Sequence, residues 1–249
     1  RLDLKPGGRR DPLFAQVTRR HTDKSDYDTA RPVPAGWLEK IDAAATGRPV
    51  QTGHSVEPAT LAQLRELCWE SAKVELLTPR TVMESVKLTR VGPGEISKHR
   101  DGISINTPMV RVVDALGLFD RRNPPAEGSA AYKNMMARFE GHSRTALGFV
   151  WIATATGTRR DALEAGRAWV RTQLAASELG LGMHPMSQAL QEFPEMAGPY
   201  AQAHRLTLGR DAPKAAGDPV LQMLCRVGFP TVPATPTPRR ELGAFVMKA

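Results

Sequence analysis

Cysteine is nearly missing from this chain, aromatic side chains are sparse, and long apolar runs do not occur. Two cysteines, Cys68 and Cys225, cannot build a disulfide framework and show no metal-ligand spacing, so both read as buried thiols. Aromatic residues make up 6% of the chain. None is interleaved with the basic pairs, which argues against the stacking platform of a single-strand nucleic-acid binder. The absence of an apolar run long enough to span a bilayer argues against an integral membrane protein. No Gly-x-Ser-x-Gly elbow occurs, which sets aside a Ser-His-Asp hydrolase. Gly180-Leu-Gly182 follows a helical pattern and lacks a third glycine, so a Rossmann dinucleotide site is unsupported. The six histidines have no metal-binding spacing. His54, His99, His142 and His204 read as surface or satisfied core residues, and His21 and His184 as ordinary packing.

What remains has the composition of a globular catalytic or ligand-binding domain, with 41% hydrophobic and 24% charged residues. At 249 residues the chain can bury a full core. Its formal net charge is +8 and its pI 9.9, but the basic residues are scattered in pairs along the chain. Arg9, Arg10, Arg121 and Arg122 read as generic basic surface.

Periodicity predicts a short helix over Asp11 to Arg19, a second from Pro34 to before Gly47, and a strand over Gln51 to Val56. A helical pattern follows Pro58, and another runs from Pro79 through Val86. Residues 95–108 have no clear period and read as a loop or lid. Residues 109–119 and 131–140 are helix candidates. Thr145 to Thr156 and Leu221 to Phe229 read as strands buried on both faces. The prolines of 229–238 predict an extended polyproline-like arm.

The most informative stretch runs from Thr158 to Leu190. Thr158 and Asp161 form a capping-box pattern at the start of a helix over Asp161 to Leu179, and Gly180 and Gly182 supply permissive backbone to end it. Leu163, Gly166, Trp169, Val170, Leu174 and Ala175 share one face, and the small residues Ala165, Gly166, Ala168, Ala175 and Ala176 leave room for another backbone. Pro185 fits the first turn of a second helix. The N–H groups of Met186, Ser187 and Gln188 would then point outward toward an electron-rich ligand edge.

This helix, the Leu-Gly-Leu-Gly turn and the Pro-led segment resemble the FMN-dependent nitroreductase family, in its Acg-like FMN-binding oxidoreductase branch. Thr18-Arg-Arg-His-Thr-Asp-Lys-Ser-Asp-Tyr-Asp28 with Arg31-Pro-Val-Pro34 looks like the family's opening basic motif. Leu224-Cys-Arg-Val-Gly228 and Pro238-Arg-Arg240 look like its C-terminal strand and closing basic pair. The resemblance implies an α+β fold, a small antiparallel sheet wrapped by helices, over residues 11–249, with a lid at 95–108 and a Pro-rich arm at 229–240. It implies FMN as cofactor, NAD(P)H as electron donor and a nitro-aromatic, quinone or similar acceptor. The alternative is a protein that stores or sequesters flavin with little turnover.

By position in these motifs, Arg19 and Arg20 together with Arg239 and Arg240 would hold the FMN phosphate, which suits charge-assisted guanidinium contacts. Lys24 matches the cation beside the flavin N1 and C2 carbonyl. Thr22 matches a hydroxyl on the ribityl chain or ring edge, and Met186, Ser187 and Gln188 match the segment against N5 and O4. No catalytic residue and no metal ligand is assigned. One departure stands out: the branch's Asn, Pro-Trp segment upstream of the Arg-Arg motif has no match. The expectation is therefore an additional N-terminal portion forming half of the flavin pocket, as a homodimer or an intramolecular pseudo-dimer, with the thin Ala/Gly helix face uncovered in these residues alone. No nucleic-acid or membrane partner is expected. No signal sequence is visible, so the expected compartment is the cytoplasm, or the periplasm where a signal has been removed.

Overall fold

Alternating side chains in two apolar runs build the central layer. In the computed structural model, which describes residues 7–246, the strands are β1 (Gln51–Ser55), β2 (Thr89–Val91), β3 (Ile103–Ile105), β4 (Gly148–Thr154), β5 (Gly182–Pro185) and β6 (Val220–Gly228). The helices are α1 (Trp37–Ala43), α2 (Pro58–Leu77), α3 (Pro79–Lys87), α4 (Gly92–His99), α5 (Pro108–Ala115), α6 (Ala130–Arg144), α7 (Arg159–Glu178) and α8 (Ala197–Leu208). The chain divides into two compact units, residues 1–71 with 140–234 and residues 72–139 with 235–249.

The first unit holds an antiparallel sheet in the order β1-β4-β6-β5. Every residue of β4 is buried. Phe149 and Trp151 pack with Leu64, Leu67 and Cys68 of α2, Ala203 of α8 and Leu221 and Leu224 of β6. Val150 and Ile152, pointing the other way, pack with α1 and α7. Helices thus cover both faces of the sheet, which is why the run reads as continuously apolar. Burial pushes the Cys68 thiol up to about 12 and raises Cys225 as well, so neither is a reactive thiolate.

Helix α7 starts on the expected capping box: the Asp161 N–H donates to Thr158 Oγ1 at 3.2 Å, and the Thr158 N–H to Asp161 Oδ2 at 3.1 Å. Its buried face differs from the expected one. Ala165, Ala168, Thr172, Ala175 and Ala176 are buried, whereas Leu163 and Val170 are 61% and 49% exposed. The sheet approaches α7 closely enough to accept only small residues, so the alanines, and not the bulky apolar side chains, mark the contact. The expectation that this thin face is left uncovered is therefore corrected, since Val150, Ile152, Cys225 and Val227 of the same chain cover its alanines. Gly166 alone of that set is exposed.

The expected second helix at Pro185 is also corrected. Residues 182–185 form β5, with Gly182 opposite Gly228 and Pro185 opposite Cys225, and only a 3-10 turn, Ser187–Leu190, follows. Cross-strand pairing and burial of Met183 and Met186 outweigh the proline's helix-start preference. Gly180, with φ 74°, ends the helical stretch, but Gly182 serves a different purpose. A Cβ on Gly182 would lie 2.8 Å from Pro230 Cγ, and one on Gly228 would run into the Tyr27 ring. These two facing glycines leave room for residues 22–31 to lie against the sheet. Thr22 bridges Met183 in parallel, Tyr27 bridges Pro230 in antiparallel, and the Asp28 N–H donates to Phe229 O at 2.8 Å.

In the second unit, β2 and β3 pair in parallel, with Thr89 opposite Ile103. Residues 95–108, expected to be irregular, carry the end of α4, strand β3 and the start of α5. These elements are short, eight residues in α4 and three in β3, so the sequence over 95–108 shows no sustained period. Arg121 is not merely basic surface: it donates to Thr89 O at 2.8 Å and pairs with Glu95 at 3.0 Å and Asp114 at 3.1 Å. Among the described residues no helix is long and apolar enough to cross a membrane.

The side chain that ties the first unit together is Arg226, fully buried on β6. Its Nε donates to His184 Nδ1 at 3.1 Å, Nη1 to Thr145 Oγ1 at 3.2 Å and Nη2 to Ser25 O at 2.7 Å. The guanidinium lies 4.0 Å from the Tyr27 ring centroid. Thr145 Oγ1 also accepts the Tyr27 N–H at 3.1 Å and donates to Gly141 O at 2.7 Å. Among the described residues no carboxylate pairs with Arg226. Burial pushes its pKa below the usual arginine value, and the Tyr27, Asp26 and Asp23 side chains oppose that shift.

Arg226→Ala leaves two carbonyls, a hydroxyl and an imidazole without their common donor. The expected cost is about 3–5 kcal/mol, the range for breaking a buried charged network. Urea unfolding of the variant measures it, and a loss below about 1 kcal/mol, within the range of an ordinary surface substitution, would remove Arg226 from this role.

A second expectation concerns acid. His204, on α8, accepts the Leu221 N–H at Nε2 (3.1 Å) and donates Nδ1–H to Tyr200 O (2.9 Å). Burial pushes its pKa below the usual 6.5, only partly offset by the Tyr200 bond. The unfolded chain therefore takes up this proton first as pH falls below 6.5. Stability is complete above that pH and declines toward the lower folded value, by at most about 1.4 kcal/mol per pH unit for one proton. Unfolding titrations between neutral and acid pH should show a shallower pH slope for His204→Gln than for the wild type; equal slopes would refute the assignment.

Candidate functional site

The opening basic motif begins where the 3-10 turn Pro12–Gln16 ends, with the Arg19 and Arg20 N–H groups both donating to Gln16 O. Arg20 is half-buried and donates Nη1 to Gln173 Oε1 at 2.7 Å, while Gln173 Nε2 donates to His21 O at 3.1 Å. A fully buried glutamine of α7 thus orients the motif through one neutral amide. Among the described residues neither Arg19 nor Arg20 has a carboxylate partner. Two adjacent guanidiniums therefore keep most of their donors available for an anion.

Thr22 and Lys24 are exposed on either side of buried Asp23, the alternation expected of extended chain. Asp23 faces inward, where Oδ1 accepts the Ser25 N–H at 3.2 Å and the Ser25 hydroxyl at 2.8 Å. The Thr22 bridge to Met183 lays this motif along β5, whose continuation carries Met186, Ser187 and Gln188. Two segments separated by about 160 residues in sequence are thereby neighbours in one unit.

Within the second segment the three residues differ. The Met186 side chain is in the core, and its N–H donates to Leu224 O at 2.8 Å instead of pointing outward. Ser187 is half-buried, with its hydroxyl 3.4 Å from Met223 Sδ. Gln188 Oε1 is buried without a hydrogen-bond partner. An unsatisfied buried acceptor costs free energy, which a ligand N–H would recover.

The closing pair belongs to the second unit. Arg240 Nη2 binds Asp101 Oδ2 at 2.9 Å, and Arg239 Nη1 donates to Thr237 O at 3.0 Å. Both line a cavity of about 400 Å³ with Arg100. Arg100 is the one non-glycine residue with positive φ, 54°, among the described residues. Asp101 lies below the usual carboxylate range, first through its hydrogen bond with Arg90 and then through Arg240.

Sequence reading missed Gln173, Thr145, Arg226 and Arg100. Arg226 left a signal, a lone charge inside an apolar strand pattern, which has to be partnered once buried. Gln173, Thr145 and Arg100 left none, because polar residues at such positions are as common on surfaces.

No protein-family model matches this sequence, and neither does any curated protein. Solved structures do match in shape. A BluB-like flavoprotein from Clostridium difficile aligns with a TM-score of 0.55 at 11% identity, over 96% of this chain and 99% of that one. A variant of the FMN and NADPH-dependent nitroreductase NfnB from Sphigopyxis sp. strain HMH aligns at 0.54 and 15%, over 95% and 98%. A nitroreductase with bound FMN from Bacteroides fragilis aligns at 0.51 and 12%, over 96% and 100%. The helices flanking a four-stranded antiparallel sheet and these full-length alignments lead to one conclusion: the chain has the nitroreductase fold.

Proposed function

We propose that this chain is an FMN-binding oxidoreductase of the Acg-like kind, passing electrons from NAD(P)H to a nitro-aromatic, quinone or similar acceptor. The observation that carries the reading is the bridge between Thr22 and Met183, which joins an uncompensated arginine pair to a segment bearing an orphaned buried acceptor. The residues suit the cofactor on both counts. A phosphate needs cationic donors without competing carboxylates, and Arg19 and Arg20 are such donors. An oxidised flavin ring carries one N–H, at N3, and gains one at N5 on reduction; Gln188 Oε1 is an acceptor that lacks a donor, and at the N5 edge it would accept the N5–H of the reduced ring.

In this reading Arg19 and Arg20 hold the phosphate. Thr22 binds the ribityl chain or ring edge, and Lys24 supplies a positive charge beside N1 and the C2 carbonyl. Met186, Ser187 and Gln188 form the wall at the N5 and O4 edge, with Met186 contributing apolar packing. Bound FMN supplies hydride acceptance and donation at N5. The chain's part is to fix the ring and to keep a cation near the atoms that become electron-rich.

The purified protein should be yellow, with stoichiometric FMN that anaerobic NADPH bleaches. Colour that persists under NADPH would favour the storage reading over turnover. Replacing Arg19 and Arg20 together by Ala should weaken FMN binding by about 3 kcal/mol or more, since charged hydrogen bonds contribute about 1.5–3 kcal/mol each. Full flavin content in that double variant after exhaustive dialysis would rule out this phosphate site.

Lys24→Met should lower the flavin reduction potential while leaving most of the phosphate-derived affinity, because the ammonium acts on the reduced ring. Redox titration measures it, and a potential equal to that of the wild type would take Lys24 out of contact with the flavin.

A further inference from the structure

Helix α5 of the second unit leaves its apolar side chains in water. Met109, Val112 and Leu116 recur at helical spacing on one side, Leu118 follows, and the four are 57–75% exposed. No residue of α5 is buried. Beside the helix lies a cavity of about 530 Å³, within the range of small-molecule sites, and its apolar walls are Val91, Pro108, Val112 and Ala115. A contiguous exposed apolar surface of this kind ordinarily marks a place where something binds.

Two charged side chains, Arg111 and Asp114, line the same cavity, and only one of them is committed. Three residues apart on one helix, they are spaced to pair with each other. Instead Asp114 Oδ1 accepts from Arg121 Nη2 at 3.1 Å, and among the described residues the Arg111 guanidinium has neither a carboxylate nor a hydrogen bond. Its stem lies against Gly92, where a Cβ would stand 3.7 Å from Arg111 Cγ. An open guanidinium beside apolar walls suits a carboxylate carried on an apolar body. Lys and Arg outnumber Asp and Glu in the second unit, so like charge disfavours a second copy of this chain as the occupant. A membrane surface is held by clusters of several Lys and Arg, whereas a single open cation in a cavity suits the head of one molecule.

We propose that this cavity binds a medium-chain alkyl carboxylate, its carboxylate on Arg111 and its chain against Val91, Pro108, Val112 and Ala115. The rest of the chain covers part of the exposed α5 stripe. Arg121 offsets Asp114, the like charge in the lining, so the bound carboxylate is not repelled by a bare partner. None of these residues is assigned to the flavin, and the inference stands independently of that reading.

The test uses the whole chain, with wild type, Arg111→Gln and Val112→Ser side by side. Isothermal titration calorimetry follows hexanoate, octanoate, decanoate and octanol, each kept below the concentration at which it aggregates. Octanoate should bind saturably, and affinity should rise about twofold or more per methylene from hexanoate to decanoate, as burial of the chain requires. Arg111→Gln should weaken octanoate about fivefold or more while leaving octanol unchanged, because the contact stays partly in water and is worth less than a buried one. Val112→Ser should weaken the acid and the alcohol alike. Both side chains are exposed, so the substitutions spare the fold, and unchanged melting temperatures verify this. Absence of saturable octanoate binding, an affinity independent of chain length, or equal octanoate affinity in wild type and Arg111→Gln overturns the proposal. Cosedimentation with phosphatidylglycerol vesicles that Val112→Ser abolishes, without saturable octanoate binding, also overturns it and assigns the stripe to a membrane surface.

Discussion

A guanidinium sealed from water on an inner strand of a small sheet has to find its partners inside the protein, and the way Arg226 does so organises the first unit. The cost of burying a charge is large unless donors are satisfied, and here the acceptors are two backbone carbonyls, a hydroxyl and an imidazole. Those acceptors come from three stretches of chain far apart in sequence. Residues 22–27 are therefore pinned against β5 and the end of β6, and this segment carries Thr22 and Lys24 on its exposed side. Because Arg226 donates to His184 Nδ1, that nitrogen carries no proton, and the ring's tautomer is set by the network.

Around this centre, the arginines divide by what they lack. Arg121, Arg144 and Arg171 each find carboxylates and serve as structural ties. Arg19, Arg20 and Arg239 bond neutral oxygens or leave their guanidiniums unbonded among the described residues. Counting basic pairs therefore says little, because identical dipeptides meet different surroundings. Arg121 and Arg122 are adjacent, yet only Arg121 is drawn into a charge network through Glu95 and Asp114.

The nitroreductase fold narrows the reading without completing it, since one fold hosts several chemistries. The case for a flavin rests on local chemistry: the uncompensated Arg19 and Arg20, the orphaned Gln188 acceptor and the register that makes their segments neighbours.

Several features were legible in the residues alone. The capping box at Thr158 and Asp161, the doubly buried β4 and β6 and most helices depend on interactions within a few positions, so their patterns survive in a linear reading. Tertiary structure decided what depends on partners. Strand β5 exists because β6 offers it a ladder, against the helix preference of Pro185. The buried face of α7 follows its alanines because the sheet comes close enough to exclude Leu163 and Val170. Gly182 and Gly228 are required by Pro230 and Tyr27, residues distant in sequence. Whether an arginine is a tie or an open donor depends on which carboxylates the fold brings near it, and no spacing rule encodes a contact between residues more than a hundred positions apart.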